Sequence, residues 1–314
     1  MKLIEIGVET DGEAAEAISA VFNRYSQHGT VIEEVWTKPS APPVIRVKTF
    51  LSVEQSCAVA RIEEALWYLG RLYPIPAPSV RYLAEADWAE AWKSGYRTLR
   101  IGRRIVIKPS WQSYAATPDQ LVIELDPGLA FGTGLHPSTQ LMLEALERHV
   151  EPGDRVLDVG TGSGILAVAA VKLGAGHVVA LDVDGLALEV ARENVARNGV
   201  QDRISLERAS LAPLPVSGDL HTPPPVFDAR GTWNGTFDLL LMNILADVIA
   251  RSAEPIAACL AEGGRFVVSG IIQPQEEHVR QALLAAGLNV AKRRGKKDWV
   301  ALIGRKGGPG RGGA

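Results

Sequence analysis

The chain has 314 residues, 46% of them hydrophobic and 22% charged, and its 33 basic and 36 acidic side chains leave a formal charge of −3. This composition excludes disorder throughout and a global field that would draw in a long polyanion, and a chain of this size buries roughly three quarters of its unfolded surface without help from disulfides or metal. Cys57 and Cys259 are far apart with no C-x-x-C, no apolar run approaches the roughly 18 residues of a membrane span, and Glu5, Glu9 and Asp11 interrupt any secretion signal, so a cytoplasmic protein without a metal site is expected.

Leu3, Ile4, Ile6 and Val8 predict a strand over residues 2 to 8, followed by a helix that Asp11 could cap, with Ala15, Ile18, Val21 and Phe22 at helical spacing, stopping near Gly29. A strand at 30 to 36, a Pro-rich turn at 39 to 43, a strand at 44 to 51, a helix from Ser52 to Gly70 and a strand at 79 to 84 complete the order βαββαβ. That order predicts a small ferredoxin-like α+β domain over residues 1–85. Between 86 and 118 the pattern changes to Trp88, Trp92, a basic stretch (Arg97, Arg100, Arg103, Arg104, Lys108) and a strand-like Ile101 to Ile107, read as a linker packed against both halves.

From 119 to 304 strands (121 to 125, 155 to 159, 177 to 182, 203 to 208, 237 to 242, 265 to 269) alternate with helices (138 to 149, 164 to 173, 184 to 198, 247 to 260, 274 to 286), and strands near 288 to 293 and 298 to 303 close the domain. Alternation of this kind predicts an α/β fold with a mostly parallel, doubly wound sheet covered on both faces. The stretch 212–236, with Pro213, Pro215, Pro223, Pro224 and Pro225, breaks the rhythm and is expected as a solvated loop, and 305–314 as a flexible tail.

Three constellations carry chemistry. In Val156-Leu157-Asp158-Val159-Gly160-Thr161-Gly162-Ser163-Gly164 a buried strand enters a glycine turn that opens a helix, a shape suited to a cofactor. Asp158, two residues before the first glycine, would repel a diphosphate and attract a cationic amino-acid end, which favours S-adenosylmethionine over a dinucleotide. Asp182, at the end of the next strand, is placed to accept hydrogen bonds from ribose hydroxyls. The second constellation, Phe131-Gly132-Thr133-Gly134-Leu135-His136-Pro137-Ser138-Thr139, leads into a helix with Ser138 or Thr139 as cap; Phe131 would cover the cofactor, Thr139 would donate to it, and His136 is an open choice between proton acceptor and structural residue. The third, Leu239-Leu240-Leu241-Met242-Asn243, ends an apolar strand in a polar residue at the carboxyl edge of the sheet, where Asn243 serves the same crevice, caps the next helix, or both.

Together these residues resemble the seven-stranded Rossmann-like S-adenosylmethionine-dependent methyltransferases, in which a final hairpin brings in an antiparallel strand. The combination Phe131-Gly-Thr-Gly-x-His-x-x-Thr139, Asp158-x-Gly-x-Gly-Ser-Gly and Asn243-Ile-Leu-Ala is similar to the narrower family that methylates ribosomal protein L-eleven, and Asp87-Trp88-x-x-Ala-Trp92 resembles that family's linker. The resemblance implies cofactor contacts at Thr139, Gly160, Asp182 and Asn243, to which Phe131, Asp158 and Gly162 are added from the residues themselves. It implies methylation of the α-amine and lysine ε-amines of that protein, with the front domain holding the substrate. The chain departs from the family pattern in Ser138, where a threonine is often found, and in the length of 212–236.

The implied chemistry is in-line attack of an amine on a sulfonium methyl, with Asn243 orienting the amine and no metal required. A monomer without direct nucleic-acid binding is expected; the alternatives are a methyltransferase acting on RNA, through the basic runs Arg97 to Lys108 and Lys292 to Lys297, or on another protein's lysines.

Overall fold

The computed structural model describes residues 3–10, 12–25, 30–35, 44–71, 75–83, 98–125, 134–212 and 225–307. The chain divides into two compact units, 1–96 and 97–314.

In the first unit β1 (Leu3–Thr10), α1 (Gly12–Tyr25), β2 (Thr30–Val35), β3 (Val44–Ser52), α2 (Cys57–Leu69) and β4 (Ser79–Leu83) follow the predicted βαββαβ order. The sheet runs β2-β3-β1-β4 with every pair antiparallel, the ferredoxin-like arrangement. Alternate residues of the central strands, Ile4, Ile6, Val8, Val47 and Leu51, are buried with Ile18 and Phe22 of α1 and Ile62 and Leu66 of α2. The second helix starts later than Ser52, because residues Val53–Gln55 form a 3-10 turn in which the Gln55 side chain accepts the Ser52 N–H at 3.2 Å.

The second unit opens with a three-stranded sheet, β5 (Leu99–Ile101), β6 (Ile105–Lys108) and β7 (Leu121–Glu124), in the order β5-β6-β7. This corrects two expectations: the segment 98–118 is part of the larger unit rather than a connector, and the strand near 121 stands outside the large sheet. The physical reason is a set of polar ties. Glu147 accepts backbone N–H groups from Arg103, Arg104 and Ile105 at 2.8, 2.6 and 3.0 Å, which fastens the β5–β6 turn to the helix α3 (Pro137–His149). Asn198 exchanges two hydrogen bonds with the Glu124 backbone, at 2.9 and 2.6 Å.

The large sheet holds β8 (Arg155–Val159), β9 (His177–Asp182), β10 (Ile204–Arg208), β11 (Phe237–Asn243), β12 (Leu260–Ile272), β13 (Leu288–Lys296) and β14 (Trp299–Lys306). Its order is β10-β9-β8-β11-β12-β14-β13, parallel except for β14, which lies antiparallel between β12 and β13. The helices are α3, α4 (Ile165–Leu173), α5 (Gly185–Arg197), α6 (Ala246–Arg251), α7 (Ala253–Cys259) and α8 (Glu276–Ala285). Alternation along β11 divides the core: Leu239 and Leu241 join Leu143, Leu146 and Val168 on one face, while Leu240 and Met242 join Ile249, Ile256, Val279 and Leu283 on the other. From β8 the chain builds outward through β9 and β10, then returns to β11 on the other side. That reversal opens a crevice at the carboxyl ends of β8 and β11.

Three local readings change. The helix expected over 247 to 260 is α6 and α7 with a break at Ser252, because Pro255 has no N–H to offer the Arg251 carbonyl. Within 212–236, residues 213–224 lie outside the described residues, while 225–236 are more than a solvated loop: most of these residues are exposed, but Phe227 and Ala229 are buried, Val226 bridges Ser210, and the rings of Phe227, Trp233 and Phe237 stack in succession at 5.3 and 5.6 Å. Of the expected tail, Arg305 and Lys306 belong to β14, with Lys306 Nζ donating to the Leu260 carbonyl at 2.9 Å; residues 308–314, like Trp88 and Trp92, lie outside the described residues.

A buried ion pair ties the start of β8 to β12. Arg265 Nη2 meets Asp154 Oδ1 at 2.6 Å and Nη1 donates to the His149 carbonyl at 2.7 Å, with both side chains nearly excluded from solvent. Arg265→Ala leaves Asp154 buried without its partner, and a loss of about 3 kcal/mol in the stability of the larger unit is expected from urea denaturation followed by circular dichroism.

Candidate cofactor and active site

The glycine turn after β8 is bound on both sides. Gly160 N and Thr161 N donate to the Leu181 carbonyl of β9 at 2.8 and 2.9 Å, and Asn194 of α5 donates to the Ser163 carbonyl at 2.9 Å. Gly160 has φ +73°, and a Cβ there would come within 2.4 Å of Ile244 Cγ2, so a side chain at this position is excluded both by conformation and by space. Asp182, half-buried at the end of β9, accepts Gly162 N at 2.8 Å on one oxygen and Asp184 N at 3.1 Å on the other. A carboxylate oxygen has two lone pairs, so each keeps acceptor capacity toward the crevice.

Asp158 is completely buried. Thr161 Oγ1 donates to its Oδ2 at 2.7 Å, while Oδ1 has no hydrogen-bond partner among the described residues. Burial pushes its pKa up from 3.8 to about 7; the Thr161 hydrogen bond works against that shift and the nearby Asp182 charge adds to it. A buried carboxyl with one open oxygen is suited to a cationic group brought in by a ligand.

The start of α3 faces the same crevice. Its cap is neither Ser138 nor Thr139, as expected, but His136, whose Nδ1 accepts from Ser138 N at 3.3 Å and lies 2.6 Å from Ser138 Oγ, with Pro137 in the first helical position. Burial holds the His136 pKa below its ordinary value, and the ring packs edge-on against Trp299 at 4.5 Å. With Nδ1 engaged as an acceptor, His136 is a helix cap, and the proton-acceptor reading loses its support. The cap frees Thr139 for the crevice: it is fully buried, and its Oγ1 accepts from Asn243 Nδ2 at 3.3 Å.

Asn243 therefore bridges β11 to α3. It does not cap α6, whose cap position is Leu245 without a side-chain bond. Its Oδ1 is buried and without a partner among the described residues. Leaving such an acceptor unmade costs roughly 1–3 kcal/mol, which an incoming donor would recover. The structure thus brings Thr139, Asp158, Gly160, Gly162, Asp182 and Asn243 to one end of the sheet. Phe131 lies outside the described residues.

Two contributors escaped the sequence reading. Thr161 holds Asp158, and its signal was its place three residues after the carboxyl. Gly270, at φ +85° beside an irregularity in the pairing of β12 with β14, would put a Cβ 2.2 Å from the Ile244 carbonyl oxygen, so it lets β12 approach the residue after Asn243; only Ser269-Gly270 at the end of an apolar strand hinted at it. Among the described residues no three His, Cys, Asp or Glu side chains are grouped to hold a metal, and no helix is long and apolar enough to cross a membrane.

Because the folded pKa of Asp158 lies above its ordinary value, the fold favours the protonated carboxyl, and stability falls as pH rises from about 4 through 7. The full shift corresponds to about 4 kcal/mol. Asp158→Asn removes this dependence, so in ligand-free protein its melting temperature relative to the wild type should rise between pH 5 and pH 8 in differential scanning calorimetry.

Comparison with known proteins bears on the family. The profile of the family described as Ribosomal protein L11 methyltransferase (PrmA) matches residues 2–307. The chain is 44% identical to the ribosomal protein L11 methyltransferase of Chloroflexus aurantiacus, over 96% of this chain and 98% of that one, and 43% identical to that of Pelotomaculum thermopropionicum, over 97% and 99%. A solved structure of a ribosomal protein L11 methylase from Lactobacillus delbrueckii subsp. bulgaricus covers 68% of this chain and 100% of its own, at 34% identity and a TM-score of 0.57. With the profile spanning nearly the whole chain and the relatives matched end to end, the protein belongs to the ribosomal protein L11 methyltransferase (PrmA) family.

Proposed function

We propose that the enzyme transfers methyl groups from S-adenosylmethionine to the N-terminal α-amine and lysine ε-amines of ribosomal protein L11. The observation that carries this reading is the open, buried Oδ1 of Asn243, fixed by Thr139 at the carboxyl edge of the sheet beside the glycine turn. The residues present fit the cofactor: Asp182 has acceptors left for a ribose diol, and Asp158 has one open oxygen for an ammonium group. When bound, S-adenosylmethionine supplies an electrophilic methyl carbon on a sulfonium.

The chain's own part is to bind and aim. Asp158, charged once a cation lies beside it, and the Gly160 and Gly162 backbone hold the amino-acid end, while Asp182 holds the ribose. Asn243 Oδ1 accepts a hydrogen bond from the substrate amine and directs its lone pair along the line of attack. The amine would have to give a proton to solvent before attack, because only the neutral amine carries the lone pair that Asn243 aims at the methyl group the cofactor would supply. Unperturbed lysine and α-amine pKa values of about 10.4 and 8 make the α-amine the readier nucleophile at neutral pH. On this reading the enzyme acts in the cytoplasm as a monomer, with the first unit holding the substrate protein. The RNA alternative finds little support on β13, where Arg293 is paired with Glu276 and Lys296 with Glu144, as on a charged edge strand that resists further pairing.

Incubation of the purified enzyme with labelled S-adenosylmethionine and either ribosomal protein L11 or ribosomal RNA should place label on the protein's α-amine and lysines, located by mass spectrometry; label on RNA alone overturns the proposal. Asn243→Ala should lower turnover by about 10²-fold while the enzyme stays folded. Full turnover in that variant would remove Asn243 from its role.

A further inference from the structure

The carboxyl end of β11 leaves a large apolar side chain in solvent on backbone that cannot easily yield. Ile244 is confined by the two close approaches described above, its side chain against Gly160 and its carbonyl against Gly270. The next residue, Leu245, is 74% exposed. Leu135, in the loop that leads through the His136 cap to Thr139, is 46% exposed, and its carbonyl is held by Gln140 Nε2 at 2.9 Å.

Single exposed leucines are ordinary on protein surfaces. These two differ in placement, since one follows Asn243 by two residues and the other precedes Thr139 by four, and Asn243 and Thr139 touch. Leu245 lies just beyond the end of β11, at the cap position of α6, two residues past Asn243 at the carboxyl edge of the sheet. The result is an apolar lip on fixed backbone, next to one buried acceptor that lacks a donor. A lysine side chain has the matching order of parts, an amine at the end of four methylenes, whereas a terminal α-amine carries no such stem.

We infer that Leu245, with Leu135 across the Thr139–Asn243 contact, determines specificity by packing against the methylene stem of the target lysine while Asn243 takes its amine. This rests on the methyltransferase function proposed above and adds a division of labour to it: lysine transfer depends on the lip, and α-amine transfer does not.

The test uses Leu245→Ala and Leu245→Met in the full chain, with ribosomal protein L11 as substrate and mass spectrometry to read initial rates at each amine separately. Loss of leucine contact with an aliphatic stem should lower kcat/KM at the lysines about tenfold. The α-amine rate should stay within about twofold, and Leu245→Met, which keeps an apolar side chain of similar volume, should retain the lysine rate. The Kd for S-adenosylmethionine, measured by calorimetry, should be the same in all three proteins. Unchanged lysine rates, equal losses at both kinds of amine, or a parallel loss of cofactor affinity would overturn the inference while leaving the enzyme's function in place. A wild-type enzyme that labels neither amine overturns the function and the inference together.

Discussion

The packing of Ile244 between two glycines sets the geometry of the whole catalytic edge. Its side chain rests where Gly160 has none, and its carbonyl rests where Gly270 has none, so β8, β11 and β12 converge at their carboxyl ends more closely than any side chain at those glycines would allow. Dense packing of this kind transmits position rather than absorbing displacement. Asn243, one residue before the wedge, is thereby held at hydrogen-bond distance from Thr139, and the helix that carries Thr139 is held in turn by the His136 cap at its start and by the Glu147 ties near its end.

Electrostatics at this edge run in the opposite direction from packing. The fold is closely complementary to itself around Ile244, yet it buries one oxygen each of Asp158 and Asn243 without a partner among the described residues. Both are costs in the ligand-free state, and both become favourable interactions when donors arrive from outside. Such groups are preorganised, because the reorganisation that water would otherwise require has been done during folding. A carboxyl poised near neutrality also couples charge to occupancy: a cation beside Asp158 favours the carboxylate, so binding at neutral pH releases part of a proton.

Much of this was legible in the amino-acid order, and the remainder shows where reading from periodicity stops. The βαββαβ front, the alternation from β8 onward and the closing hairpin follow from local pattern, and Asp158, Gly160, Asp182, Asn243 and Thr139 follow from strand ends and glycine turns, where chemistry and topology coincide. What pattern missed depends on partners distant in sequence. The fate of residues 98–118 is decided by Glu147, about forty residues on, and no local rule announces that one carboxylate will collect three backbone amides. His136 instead of Ser138 as cap is a similar case, since ring burial keeps the imidazole neutral and able to accept. The burial of Phe227 in a stretch rich in proline could not be weighed without Trp233 and Phe237 stacked beside it.

That aromatic stack has a meaning for how the chain tolerates change. The Ser210–Val226 bridge holds side by side the two stretches of chain that flank residues 213–224, and the stacked rings hold the second of them in the core. The span that any connection between them has to cover is therefore fixed by the rest of the fold and not by the connection. The catalytic edge is held by other contacts, around Ile244 and between Thr139 and Asn243. Related chains can thus differ in length at this one point without differing in their chemistry.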